Sequence, residues 1–447
     1  MIYQSADELQ RDLSSVLQFK NGHVEEVLDA ARLRQVGIDS LINTAVFADS
    51  SELRGAAREA IRESARLLGI RPASIQGLYD AMGRGEVSGF SVPALNLRIL
   101  TYDTAQAVFR AMKRLNIGPV IFEIARSEIG YTEMQPAEYA ANVEAAAIKA
   151  GYVGPLFIQG DHFQVNASRY AKNPDEELKA LRDLTADAIQ HDFLNIDVDS
   201  STLVDLTQPT VKEQQRPNFE VAAEMIRFIR SHEPDGVRIS VGVEIGEVGG
   251  KNSTPEELRV FMDSLKEVLG DVPGPSKISV QTGSSHGGVV LPDGSIAKVA
   301  IAFDTLQEMS RLARKEYGMG GAVQHGASTL PDELFHRFRE VETAEIHLAT
   351  SFQNMIYDSP LFPESLRQEI QNYLKEKHGG EWKSGQTEAQ FIYSSRKRAI
   401  GPFKRQVWSL PDDVRSNLRQ QLEDRFAFLF DKLGVADTHG LLARYIK

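Results

Sequence analysis

The spacing of apolar residues changes twice along this chain of 447 residues. Over residues 1–85 apolar positions recur every three or four residues in ADELQRDLSSVLQF, HVEEVLDAARLRQV and SELRGAAREAIRESARLLGI, which predicts helices without strands. From about residue 88 short apolar or β-branched runs take over, each followed by a helical stretch. The runs are GFSVPALN (89–96), GPVIFEIA (118–125), GPLFIQGD (154–161), FLNIDVD (193–199), VRISVGVEI (237–245), KISVQTG (277–283), GAVQHG (321–326) and AEIHLAT (344–350). Segments such as TAQAVFRAMKRLN and TPEELRVFMDSLKEVL fill the spaces between them. After residue 358 the helical period returns in PESLRQEIQNYLKEKHGG and DDVRSNLRQQLEDRFAFLFDKLG.

Strands alternating with helices imply a parallel sheet. Eight such units over roughly 270 residues fit a (β/α)8 TIM barrel better than an open doubly wound sheet. The expected organisation is a helical N-terminal extension (1–87), the α/β barrel (88–358) and a helical C-terminal extension (359–447). Short polar linkers are expected near 70–90 and 376–388.

Composition narrows the function. The formal net charge of −12 argues against nucleic acid or an anionic membrane surface as partner. Cysteine is absent, which excludes disulfides, thiolate metal sites and a cysteine nucleophile. The N-terminus carries no apolar signal core, and no apolar run approaches the length of a membrane span. A cytoplasmic protein with no membrane partner is expected.

Three of the ten histidines stand where a predicted strand runs out into a loop: His162 in FIQGDHF, His286 in QTGSSHGG and His325 in AVQHGAS. In a barrel the C-terminal strand ends form the active-site rim, so the three can converge, and three neutral imidazoles with an open position suit a catalytic metal. Asp161 precedes His162 and could serve as acid or base; the dipeptide alone also reads as a polar turn. Asp197, Asp199 and Glu244 are carboxylates in otherwise apolar strands, and burial demands a cation, a hydrogen-bond network or a structural salt bridge for each. The turns GSSHGG (283–288) and HGAS (325–328) offer backbone N–H groups to a phosphate, or are ordinary turn chemistry.

The set DH (161–162), DVDSS (197–201), VGVEIGEVGG (241–250), TGSSHGG (282–288), QHGAS (324–328) and EIHLAT (345–350) resembles the class II, metal-dependent fructose- or tagatose-bisphosphate aldolases, and PALN (93–96) resembles their first strand. GYTEMQPAEY (130–139) and QGDHF (159–163) also resemble the longer accessory-type subunit of tagatose-bisphosphate aldolase systems. The resemblance implies that His162, His286 and His325 hold a divalent ion, zinc by preference, and that Asp161 is the acid/base at the cleaved bond. It places Asp199 and Glu244 near the metal, with room for a second divalent or monovalent cation. Asn96, Gly287, Gly326, Ser328 and Thr350 fall on substrate- or phosphate-binding positions, with Arg126 as a helper.

The implied substrate is a phosphorylated ketose, cleaved through an enediolate to a triose phosphate and an aldehyde by a homo-oligomer. Two other readings stand beside it: a non-catalytic aldolase-like subunit, and a metal-dependent sugar-phosphate epimerase or isomerase. The chain leaves the pattern at His347, Ala349 and Gly242, and in a short loop after Gly250. The basic run around Arg396, Lys397, Arg398 and Lys404 reads as solvated surface, an oligomer contact, or a reach into a neighbouring subunit's phosphate site.

Overall fold

The computed structural model describes residues 1–246, 251–283, 291 and 301–446. All eight expected strands form: β1 Val92–Asn96, β2 Ile121–Ala125, β3 Gly154–Gln164, β4 Asn195–Asp199, β5 Ser240–Glu244, β6 Lys277–Ser279, β7 Ala322–Gln324 and β8 Glu345–Leu348. Every neighbouring pair is parallel, β8 returns to β1, and β3 pairs with β4, so the sheet closes into a (β/α)8 barrel. Residues of β1, β2, β4 and β5 are buried on both faces, as a barrel wall between a packed interior and a helix layer requires.

The N-terminal extension departs from the all-helical expectation. Helices Ala6–Leu13, Ile38–Phe47 and Ser51–Leu67 are present, but Leu17–Lys20 and His23–Val27 form an antiparallel hairpin. In HVEEV the apolar Val24 and Val27 stand three apart, a helical spacing, and pairing with Leu17–Lys20 through a register shift decides for strand. The supposed linker near 70–90 is also structured. Ile70–Pro72 adds a parallel strand beside the start of β3, and helix Gln76–Gly83 plugs the N-terminal end of the barrel with the buried Tyr79.

The C-terminal extension straps the barrel from mouth to base. Its helix Asp412–Leu433 lies along Thr101–Arg114, the helix after β1, where buried Asp103 pairs with Arg415 at 2.6 Å and with Arg419. Helix His439–Tyr445 then packs beneath, against Gln76–Gly83. Among the described residues no helix is long and apolar enough to cross a membrane.

Candidate active site and metal centre

A break in β3 builds the site. Its pairing with β4 shifts register between Gly160 and Phe163, and His162 sits there at φ 40°, a left-handed conformation that a non-glycine residue adopts only when the surroundings hold it. Consecutive residues of a regular strand point to opposite faces. The bulge lets Asp161 and His162 both turn to the barrel mouth, and Gly160 has no side chain because a Cβ would lie 2.5 Å from the Phe163 ring.

His162 Nδ1 lies 3.3 Å from Glu244 Oε2 on β5 and 3.4 Å from Asp199 Oδ2 on β4. His325 Nδ1, after β7, lies 4.0 Å from the same Glu244 oxygen. The two rings stand 4.2 Å apart between centroids. Donors bound at ~2.1 Å in a tetrahedron are about 3.4 Å from one another, so this nitrogen, nitrogen and carboxylate set has the spacing of metal ligands. Asp199 approaches the same His162 nitrogen as Glu244 and is itself fixed, with Oδ1 accepting from Ser201 N at 3.0 Å and Oδ2 accepting from Gln164 Nε2 at 2.5 Å. Burial opposes a charge on His162, but Asp161, Glu244 and Asp199 hold its pKa well above the ordinary imidazole value. Such an excess of carboxylate around an imidazole favours a cation in this place.

His347 forms a second, deeper layer. Its Nδ1 lies 3.0 Å from Glu123 Oε2 and 3.3 Å from Asp161 Oδ1, and its Nε2 lies 2.6 Å from Glu345 Oε1. Asp161, Asp197, His325 and His347 make another grouping close enough to share an ion. Below them Lys277, fully buried on β6, donates to Gln159 at 2.7 Å, lies 2.9 Å from Asp197 Oδ1 and pairs with Glu345, whose carboxylate also accepts from the Tyr79 hydroxyl. Burial works against ionising Glu345, and Lys277 with His347 overcomes it, holding the carboxyl below its usual range. Burial and Asp161 push Glu123 the other way.

Gly242 explains one departure from the expected pattern. It is in register with Asp197 on one side and Lys277 on the other, and a Cβ there would collide with Asp197 Oδ1. The empty position is what lets Asp197 and Lys277 meet across β5. Sequence reasoning did not find Lys277, Glu345, Glu123 or Gln159. The usable signal was the one that singled out Asp197, a polar or charged residue inside an apolar strand, as in VIFEIA and AEIHL.

A cavity of about 1050 Å³ opens over these groups, and Asn96, Arg126, Gly326, Ser328 and Thr350 all line it. Asn96 donates to Glu128 on the helix after β2. Gly326 has φ 70°, and the Ser328 hydroxyl accepts from the Ala349 amide at 2.9 Å, which ties the β7 and β8 loops together. Arg126 is held by buried Glu177 and donates to the Gln164 carbonyl at 2.7 Å. His286 and Gly287 lie outside the described residues, as does the loop 247–250.

The model of the class II fructose-bisphosphate aldolase family matches residues 78–397, and no curated protein matches the chain. Among solved structures, a probable tagatose 6 phosphate kinase from Sinorhizobium meliloti 1021 is 15% identical, covering 79% of this chain and 99% of that one, with a TM-score of 0.53. A fructose-bisphosphate aldolase from Campylobacter jejuni is 17% identical, covering 83% of this chain and 97% of that one, with a TM-score of 0.50. At these identities the likeness is one of fold.

Proposed function

The chain belongs to the class II fructose-bisphosphate aldolase family, and on that footing we propose that it is a metal-dependent aldolase that cleaves or forms a phosphorylated ketose, giving a triose phosphate and an aldehyde. The observation that carries this reading is the convergence of His162, His325 and Glu244 at ligand spacing beside Asp161, at the mouth of a closed barrel. His286, in the strand-six loop, is proposed as the remaining imidazole, and zinc as the ion, with the second grouping around Asp161 and His347 as the place for another cation.

A divalent ion held there supplies Lewis-acid polarisation of the ketose carbonyl and stabilises the negative charge that develops as the carbon–carbon bond breaks. Asp161 takes the proton of the hydroxyl at the cleaved bond and returns it in the condensation direction. Asp199, beside the same His162 nitrogen as Glu244, is proposed as a further carboxylate near the ion. Asn96 faces the substrate from β1, and the backbone at Gly326 with the Ser328 and Thr350 hydroxyls receives a phosphate, Gly287 being proposed for the same role. Arg126, already paired with Glu177, shapes the wall and adds positive potential.

Purified protein is expected to release triose phosphate from a ketose phosphate, to lose that activity on chelation and to regain it with zinc. A non-catalytic subunit shows no turnover alone and needs a second chain. An epimerase or isomerase returns a ketose or aldose of unchanged carbon number.

A further inference from the structure

Glu345 and His347 are two residues apart on β8 and so share the face that points into the barrel. Ala94 stands in register beside His347 on β1, and its methyl group leaves the imidazole room to reach past β1 toward β2 and β3. The ring is buried, with Nε2 at 2.6 Å from Glu345 Oε1 and Nδ1 at 3.0 Å from Glu123 Oε2 and 3.3 Å from Asp161 Oδ1. Carboxylates therefore face both nitrogens, which is the setting of a ring that donates from both edges.

The lower part of this network does not depend on the imidazole. Glu345 also pairs with Lys277 and accepts from the Tyr79 hydroxyl, and Gln159 Nε2 donates at 3.0 Å to Glu345 and at 3.0 Å to Glu123. Toward the mouth the position is different. His347 Nδ1 is closer to Asp161 Oδ1 than His325 Nε2 at 3.8 Å or His162 Nε2 at 3.9 Å, and those two rings are the proposed metal ligands. Asp161 also stands inside the break in the β3–β4 pairing, where the ladder on that side no longer fixes its direction.

We propose that His347 is a positioning residue for Asp161. Its Nδ1 edge holds the Asp161 carboxylate in one orientation toward the cavity, while Glu345, anchored by Lys277, holds the ring. The catalytic consequence rests on the aldolase reading. A base held in line with its target acts as an intramolecular group, and a displacement of about 1 Å costs about 10²-fold in rate.

Two substitutions separate the two edges of the ring. Asn carries an amide nitrogen close to where Nδ1 stands, and Gln carries one close to where Nε2 stands. His347→Asn thus keeps a donor toward Asp161, and His347→Gln keeps only the one toward Glu345. In crystal structures of the zinc-loaded full chain, Asp161 is expected to hold its orientation in His347→Asn and to lose it in His347→Gln, with zinc content equal to wild type in both. In turnover, kcat is expected to fall about 10²-fold in His347→Gln, with KM within about twofold, and to recover for the most part in His347→Asn. Added to Asp161→Asn, the His347→Gln substitution is expected to change kcat by less than about twofold, because its effect passes through the carboxylate already removed. An unmoved Asp161 in His347→Gln, zinc loss in either variant, or a further loss of about 10²-fold on top of Asp161→Asn overturns the assignment. A His347→Gln chain that does not fold overturns it as well, by making the ring part of the core. Wild-type protein that never releases triose phosphate removes the aldolase reading, and the crystal structures then still decide whether His347 holds Asp161.

Discussion

Asp197 and Lys277 face each other at 2.9 Å across β5, and they can do so only because residue 242 between them is glycine. Among the described residues, Lys277 is the one internal cation beside Asp197 and Glu345 that does not depend on a histidine's protonation. Lys277→Met is expected to cost ~3–5 kcal/mol, since it leaves buried carboxylates without their partner. Gly242→Ala is expected to destabilise as well, by forcing Asp197 away. Urea unfolding measures both; a Lys277→Met midpoint equal to wild type would refute the role given to this pair.

Asp161 is expected to matter for turnover rather than for metal retention. Asp161→Asn keeps the shape of the bulge at His162 but removes the base, and kcat should fall by ~10²–10⁴ with metal content preserved. Single-turnover rates alongside metal analysis make the distinction. Loss of metal together with activity would place Asp161 among the ligands instead.

Away from the site, burial and the nearby Asp192 push the Glu144 carboxyl from 4.5 up to about 8. The folded chain then holds a proton that the unfolded chain has already released, so stability falls as pH rises from about 4.5 to about 8 and levels off above that. Each pH step of one within that window costs the wild-type fold ~1.4 kcal/mol. Glu144→Gln, which carries no charge at any pH, is therefore expected to stabilise the protein by several kcal/mol near pH 9 and by much less near pH 5, on the order of magnitude that this slope sets. Thermal melts across that range test it, and an equal gain at both ends would contradict it.

Much of the barrel was legible because each wall strand is an apolar run ended by glycine or polar residues, which local pattern alone reveals. His162, His325, Asp161 and Glu244 were legible for the same reason, as polar residues at strand ends. What pattern could not show was long-range. HVEEV became a strand through its partner at Leu17–Lys20. Lys277 opens KISVQTG, and only the register of β5 and β6 sets it beside Gly242. Lys397 and Arg398 suggested solvated surface, an oligomer contact or a neighbouring subunit's site, whereas the fold of the C-terminal extension lays them over their own.

Whether His162 and His325 hold a catalytic metal is tested most directly by metal content. Wild-type protein, His162→Ala and His325→Ala, each dialysed against zinc and then against buffer, are analysed for bound metal and for triose phosphate release from a ketose bisphosphate. About one zinc per wild-type chain, lost with activity in both variants, is the expected result. Wild-type protein that takes up no divalent ion, or variants that retain both metal and turnover, would contradict it.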